Sequence, residues 1–157
     1  RENLCQYENG PGGTVGASSF VMDVNWIHFA LAALVGGILS SLTDWLFMGD
    51  LLYKRNNKHP EIWRYPGGKG ESKAIVCSGP FPFLTCAVFA FATNEFHVHS
   101  LGAALRMAFE IWLIGPLPLV LTNALFMKVQ PMIATAHSLG WLVKLGVAAG
   151  AAILFLK

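Results

Sequence analysis

The chain has 157 residues, of which 54% are hydrophobic and 13% are charged, and its formal net charge at pH 7 is +2. Soluble domains carry about 25% charged residues, so this composition excludes a disordered chain and argues against an ordinary soluble domain. The mean hydropathy of +0.51 instead indicates membrane spans of about 20 mostly apolar residues each.

The N-terminal segment 1–21 is polar and glycine-rich, and it has neither the basic start nor the apolar core of a signal peptide. A segment with so little apolar surface does not become ordered on its own. We therefore expect an outward-facing tail that is held by a partner, which favours a subunit of a larger membrane complex.

Four long runs with few charges follow the tail, and they predict transmembrane helices at about 24–48, 74–94, 101–127 and 132–156. No run alternates apolar and polar residues with a period of two, so helices are the expected way to satisfy the backbone in lipid. The predicted fold class is an all-α integral membrane protein, in which residues 22–157 form an antiparallel bundle of four transmembrane helices.

The loop between the first two spans, at 49–73, is strongly basic. Its cations are Lys54, Arg55, Lys58, Arg64, Lys69 and Lys73, whereas the connection at 94–100 has none and the last connection has only Lys128. Because positive loops stay in the cytoplasm, we expect this loop inside and both termini outside. Aromatic residues among the cations favour contact with anionic lipid headgroups over nucleic acid.

Small residues predict where helices approach closely. They recur every four residues in the first span, and two glycines with the same spacing occur in the fourth. The residues are Gly36, Gly37, Ser40 and Ser41 in the first span, and Gly146 and Gly150 in the fourth. We expect these faces to make the tightest helix contacts, either inside the bundle or with a partner chain.

Two prolines interrupt the third span. Pro116 and Pro118 lack an N–H, so they would free the carbonyls of Trp112 and Ile114 in the middle of the membrane. A kinked or unwound helix is expected there, and it would have to face protein, water or a ligand.

Ionisable residues at membrane depth are the candidates for chemistry, because placing a charge there is expensive. They form a ladder across the membrane: Asp44, His137, Lys144, Glu110, Arg106 and Glu95. Counting depth from the centre of each span brings Lys144 close to Glu110 and Asp44 close to His137. The spacing of Arg106 and Glu110 pairs these two side chains on one helix. The ladder is either a proton pathway or polar contacts that fix the register between helices.

Histidines suggest two further hypotheses. His97 and His99 lie beside Glu95 in the outer connection, where His28 is also expected, so a metal site there is one hypothesis. An axial ligand to haem or another pigment at His28 or His137 is the second. Neither a CxxC pair nor a hydrolase, transferase or phosphate-binding motif occurs, so the sequence predicts a protein that is not an enzyme.

A short repeat ends the first and third spans. Residues 42–48 (LTDWLFM) and 121–127 (LTNALFM) agree at five of seven positions. Duplication of a two-helix hairpin would leave such a repeat, and chance similarity between helices rich in Leu and Phe is the alternative.

Several of these features resemble one protein family. The segment 28–53, with its Gly36-Gly37 face and a Trp-Leu-Phe run before the basic loop, resembles the first hairpin of small bacterial four-helix inner-membrane proteins. Residues 121–126, followed by Gly140-Trp141-Leu142, resemble their second half. The proteins are grouped in a domain-of-unknown-function family. The resemblance covers 22–157 and implies a bacterial inner-membrane protein, with no catalytic residue to carry over.

Two functions remain open at this point. The first is a non-enzymatic accessory or scaffold subunit that docks in a larger membrane complex and contacts lipid or pigment. The second is a small proton-coupled transporter or proton-conducting protein that uses the ionisable ladder.

Overall fold

The computed structural model describes residues 25–47, 49, 69–127 and 129–156. Six helices occur in this part of the chain: α1 (Trp26–Asp44), α2 (Lys69–Ser78), α3 (Pro80–Glu95), α4 (Leu101–Ile114), α5 (Pro116–Phe126) and α6 (Pro131–Phe155). A π-helical turn at 45–47 extends α1. No β-strand is present among the described residues.

The helices combine into four stretches that are long and apolar enough to cross a membrane. They are Trp26–Phe47, Lys69–Glu95, Leu101–Phe126 and Pro131–Phe155, and we call them the first to fourth spans. The predicted all-helical class with four such helices is confirmed. The second span begins before the expected residue 74, since α2 already starts at Lys69. The expected tail at 1–21 and most of the basic loop at 49–73 lie outside the described residues.

Local sequence signals set several helix ends. The side chain of Asn25 accepts hydrogen bonds from the amides of Ile27 and His28, and Ser100 accepts one from the amide of Ala103. These contacts satisfy N–H groups that have no partner within the helix. Proline occupies the first position of α3, α5 and α6, where its missing N–H costs little.

The fourth span is the centre of the fold. Its helix α6 packs against α1, α3, α4 and α5, and half of its most apolar window is buried. Most of the buried hydrophobic residues are alanines: Ala32, Ala90, Ala104, Ala108, Ala134, Ala148, Ala149, Ala151 and Ala152. Such small side chains allow close approach of helix backbones, while every span also has large apolar side chains that are exposed.

The small-residue face of α1 lies inside this fold. A Cβ at Gly37 would overlap the ring of Phe83, and one at Gly36 would lie 3.0 Å from Sγ of Cys86. Ser40 is fully buried with its Oγ 3.4 Å from the same sulfur. The hydroxyl of Ser41 donates to the carbonyl of Gly37 at 2.8 Å. The face therefore contacts α3, and Gly36 also approaches α6.

The two glycines of the fourth span do not make the close helix contacts that were expected. A Cβ at Gly146 would meet only the end of Leu105, at 4.0 Å, and one at Gly150 would meet nothing within 4 Å. The fully buried positions of this part of α6 are Ala148, Ala149 and Ala152. Alanines rather than the two glycines thus face the neighbouring helices, because the helix is rotated to present that side.

Candidate functional site

The fourth span carries a cation near its middle, and an acidic side chain of the first span neutralises it. Nζ of Lys144 lies 2.7 Å from Oδ2 of Asp44, and the two side chains are 8% and 37% exposed. The ammonium also lies over the ring of Trp141, 4.4 Å from its centroid. A buried ammonium thus has both a counter-charge and an aromatic face, which together replace part of its lost hydration.

The stagger of two helices produces this ion pair. Gly36 lies next to Ala151, and Phe47 lies next to Gly140, so residue numbers rise along α1 as they fall along α6. Asp44, the last residue of α1, is therefore at the level of Lys144. Depths that are counted from the centre of each span do not include this stagger. Lys144 therefore pairs with Asp44 and not, as was expected, with Glu110.

A second ion pair lies on the third span. Nε of Arg106 donates to Oε1 of Glu110 at 2.9 Å, as their spacing predicts, and the side chains are 81% and 57% exposed. The opposite side of α4 packs against α6 through the buried Ala104 and Ala108. The pair therefore points away from the fourth span and from the Lys144–Asp44 pair.

The third span is broken at Gly115. α4 ends at Ile114, Gly115 has φ −116° and ψ −86°, and α5 restarts at Pro116. Pro116 and Pro118 offer no N–H, so the carbonyls four residues earlier lose their usual helix donors. Just before the break, the indole N–H of Trp112 donates to the carbonyl of Ser138 at 2.8 Å. This bond attaches the third span to the fourth at the break.

A cleft of about 370 Å³ opens beside this break. Its lining residues are Gly115, Pro116, Leu119, Val120, Asn123, His137 and Trp141. Most of the wall is apolar, and the imidazole, amide and indole groups give it polar edges. Trp141, which lines the cleft, also faces the ammonium of Lys144, so the cleft lies next to the ion pair.

The connection at 94–100 does not assemble the metal site considered above. His97 and His99 stack with ring centroids 6.3 Å apart, and His97 adopts a left-handed backbone with φ of 50°. Glu95 ends α3, and His28 lies in the first turn of α1. Within the described residues, no three His, Cys, Asp or Glu side chains lie where they could share a metal ion.

The polar side chains of Asn123, Trp141 and Trp112 belong to these sites but were not among the sequence candidates. The repeat contains a signal for Asn123, because it occupies the position that Asp44 holds in the first copy. Both residues lie next to polar side chains of α6, Asp44 at Lys144 and Asn123 in the cleft with His137. No comparable pattern in the sequence indicates the two tryptophans, whose roles depend on the break at Gly115 and on the position of Lys144.

Comparison with family models, curated proteins and solved structures found no match to this chain.

Proposed function

We propose that this chain is an integral membrane subunit without enzymatic activity that docks through its third span against other protein in the membrane. The observation that carries the proposal is the exposed Arg106–Glu110 pair. Leu105, next to Arg106, approaches Gly146, and Trp112 bonds to Ser138, so the pair is level with the middle of α6.

That position is unfavourable in lipid. A charged side chain at the centre of a bilayer costs about 3 kcal/mol on insertion scales. Pairing neutralises the net charge, but one contact to Glu110 leaves most of the five N–H donors of a guanidinium without an acceptor. A protein neighbour that covers this side of α4 would remove the pair from lipid and supply acceptors.

The distribution of charge favours structural contacts over a proton pathway. Lys144 is neutralised by Asp44 on one side of the fourth span, while Arg106 and Glu110 neutralise each other on another surface. The two pairs are thus local and separate, as contacts that fix helix register would be. A relay needs groups that can pass a proton from one to the next.

The proposal includes an orientation and a cellular location. The pairwise contacts of α6 with its neighbours support an antiparallel bundle of four transmembrane helices. The six cations at 49–73, of which Lys69 and Lys73 lie near the start of the second span, favour a cytoplasmic loop with both termini outside. The resemblance noted above favours a bacterial inner membrane. The matching positions of Asp44 and Asn123 beside α6 support a duplicated hairpin. Labelling of single cysteines placed in the loop and at the C-terminus, from each side of the membrane, tests the orientation.

Purification from the native membrane in mild detergent tests the docking function. We expect the chain to migrate with further protein, and we expect Arg106→Met and Glu110→Gln each to weaken that association. Glu95→Gln, a change at the end of α3, serves as the matched control and should leave it intact. Migration as a single 17.0 kDa species would contradict the proposal. An absorption spectrum of the same sample tests for a pigment at His137.

The cleft favours a second candidate, a small proton-coupled transporter. It combines a broken helix, a histidine and a nearby ion pair, which are features of intramembrane substrate and proton sites. In vesicles that contain the purified chain, this candidate requires a proton flux that His137→Phe abolishes while the fold is retained. If the chain is instead a docked subunit, we expect the same proton flux with and without His137→Phe.

A further inference from the structure

The exposed surface of α4 combines small residues with two opposite charges, and this combination indicates a particular partner. This surface, the α4 outer face, consists of Gly102, Ala103, Arg106, Glu110 and Leu113, which are all exposed. After the adjacent Gly102 and Ala103, they recur at intervals of three and four residues and therefore form one stripe along the helix. Ala104 and Ala108, on the other side, are buried against the rest of the fold.

The two charges of the face are arranged so that the face complements itself. Arg106 and Glu110 are four residues apart, about 6 Å along the axis and about 40° around it, so they lie on opposite sides of the midline of the face. In a dimer whose twofold axis is parallel to the membrane normal, both copies have the same orientation and the same depth. Arg106 of each copy would then stand diagonally opposite Glu110 of the other.

The small residues of the face allow the approach that this contact needs. A Cβ at Gly102 would meet nothing within 4 Å, so the backbone there is open to a neighbour. Ala103 lies on the same side one turn before Arg106. Helices in membranes come closest where such small residues face each other, and the two backbones would bring the charged side chains within bonding distance.

We propose that the α4 outer face binds a second copy of this chain, with two reciprocal ion pairs between Arg106 of one copy and Glu110 of the other. This inference rests on the proposal that the third span docks against protein, and it adds the identity of that protein. Each carboxylate gains a second guanidinium, and each guanidinium gains a second acceptor. The four charges form a closed network inside the interface instead of two pairs in lipid.

Charge exchange on the full-length chain in lipid nanodiscs or vesicles tests the inference. We expect the wild-type chain to be a dimer by native mass spectrometry and by counting of fluorophores in single vesicles. Arg106→Glu places two negative charges on the face, and Glu110→Arg places two positive ones, so each variant alone should dissociate at least tenfold more readily. A mixture of the two variants should form heterodimers, and the double variant R106E/E110R should form homodimers again. Glu95→Gln should dimerise like the wild type.

Failure of rescue would overturn the inference, because general damage to the fold lowers association without being repaired by the opposite charge. Helix content by circular dichroism confirms that each variant is folded.

A cysteine at Ala103, in a chain whose natural cysteines are replaced, separates this failure from that of the docking proposal. Cross-linking in the native membrane to a second copy supports both. Cross-linking only to a different protein overturns the second copy and leaves docking intact. A monomer that cross-links to no protein overturns both.

Discussion

The ammonium of Lys144 lies 2.7 Å from the carboxylate of Asp44, and this contact joins the middle of the fourth span to the end of the first. Both helices are rich in apolar and small residues, which can slide along each other at little cost. An ion pair has one position in which both charges are neutralised, so it fixes the register of the two helices.

Loss of one partner should therefore destabilise the protein more than loss of both. Removing one member of a fully buried pair costs about 3–5 kcal/mol, because the other charge stays buried without a counter-charge. Asp44 is 37% exposed, so we expect about half of that cost for Lys144→Met. The measurement is the free energy of unfolding in detergent or lipid.

The double variant K144M/D44N provides the control. With both charges absent, neither helix holds an uncompensated charge, and we expect it to be more stable than K144M alone. If the double variant instead loses the sum of the two single losses, then the ion pair does not couple these residues.

The sequence was sufficient to predict the four spans but insufficient to predict the stagger between them. A span is recognisable because lipid excludes charges over about 20 residues, which is a property of each segment alone. The level of one helix against another depends on which side chains interlock. The ring of Phe83 against Gly37 is such a contact between α1 and α3. Phe47 against Gly140 is one between the first and fourth spans, and it belongs to the stagger that places Asp44 beside Lys144.

The close contact at Gly37 leads to a second prediction. A Cβ there would overlap the ring of Phe83, so Gly37→Ala must push α1 and α3 apart or move the ring. Overpacking of this kind costs about 1–3 kcal/mol, and we expect the free energy of unfolding to decrease by that amount. Gly150→Ala is the matched control, since a Cβ there meets nothing within 4 Å and alanine favours the helix by about 1 kcal/mol over glycine.

A smaller residue at position 83 should rescue the first variant. In the double variant G37A/F83L the new methyl group replaces part of the volume of the ring, and stability should return towards that of F83L alone. If G37A causes the same loss in the wild-type chain and in the F83L variant, then the ring of Phe83 is not the obstacle.

Prediction of the candidate sites from sequence was limited by side-chain direction. The i, i+4 spacing of Arg106 and Glu110 was sufficient for their pairing, because both lie on one helix. Their exposure depends on the rotation of α4, which the packing of Ala104 and Ala108 against the rest of the fold determines. The cleft could not be predicted either, since it needs the break at Gly115 and the approach of His137 from another helix.

The bond between Trp112 and the carbonyl of Ser138 leads to the third prediction. It is 2.8 Å long and crosses from α4 to α6 just before the break, where the third span has lost helix hydrogen bonds to proline. Trp112→Phe keeps an aromatic ring but removes the donor, and the net value of such a bond is about 1 kcal/mol. We expect a loss of that size in the free energy of unfolding, together with faster hydrogen exchange around Gly115.

Trp26→Phe is the control, because Trp26 is 72% exposed and its replacement should change neither measurement. Equal effects of the two substitutions would show that the indole donor of Trp112 does not stabilise the contact between the third and fourth spans.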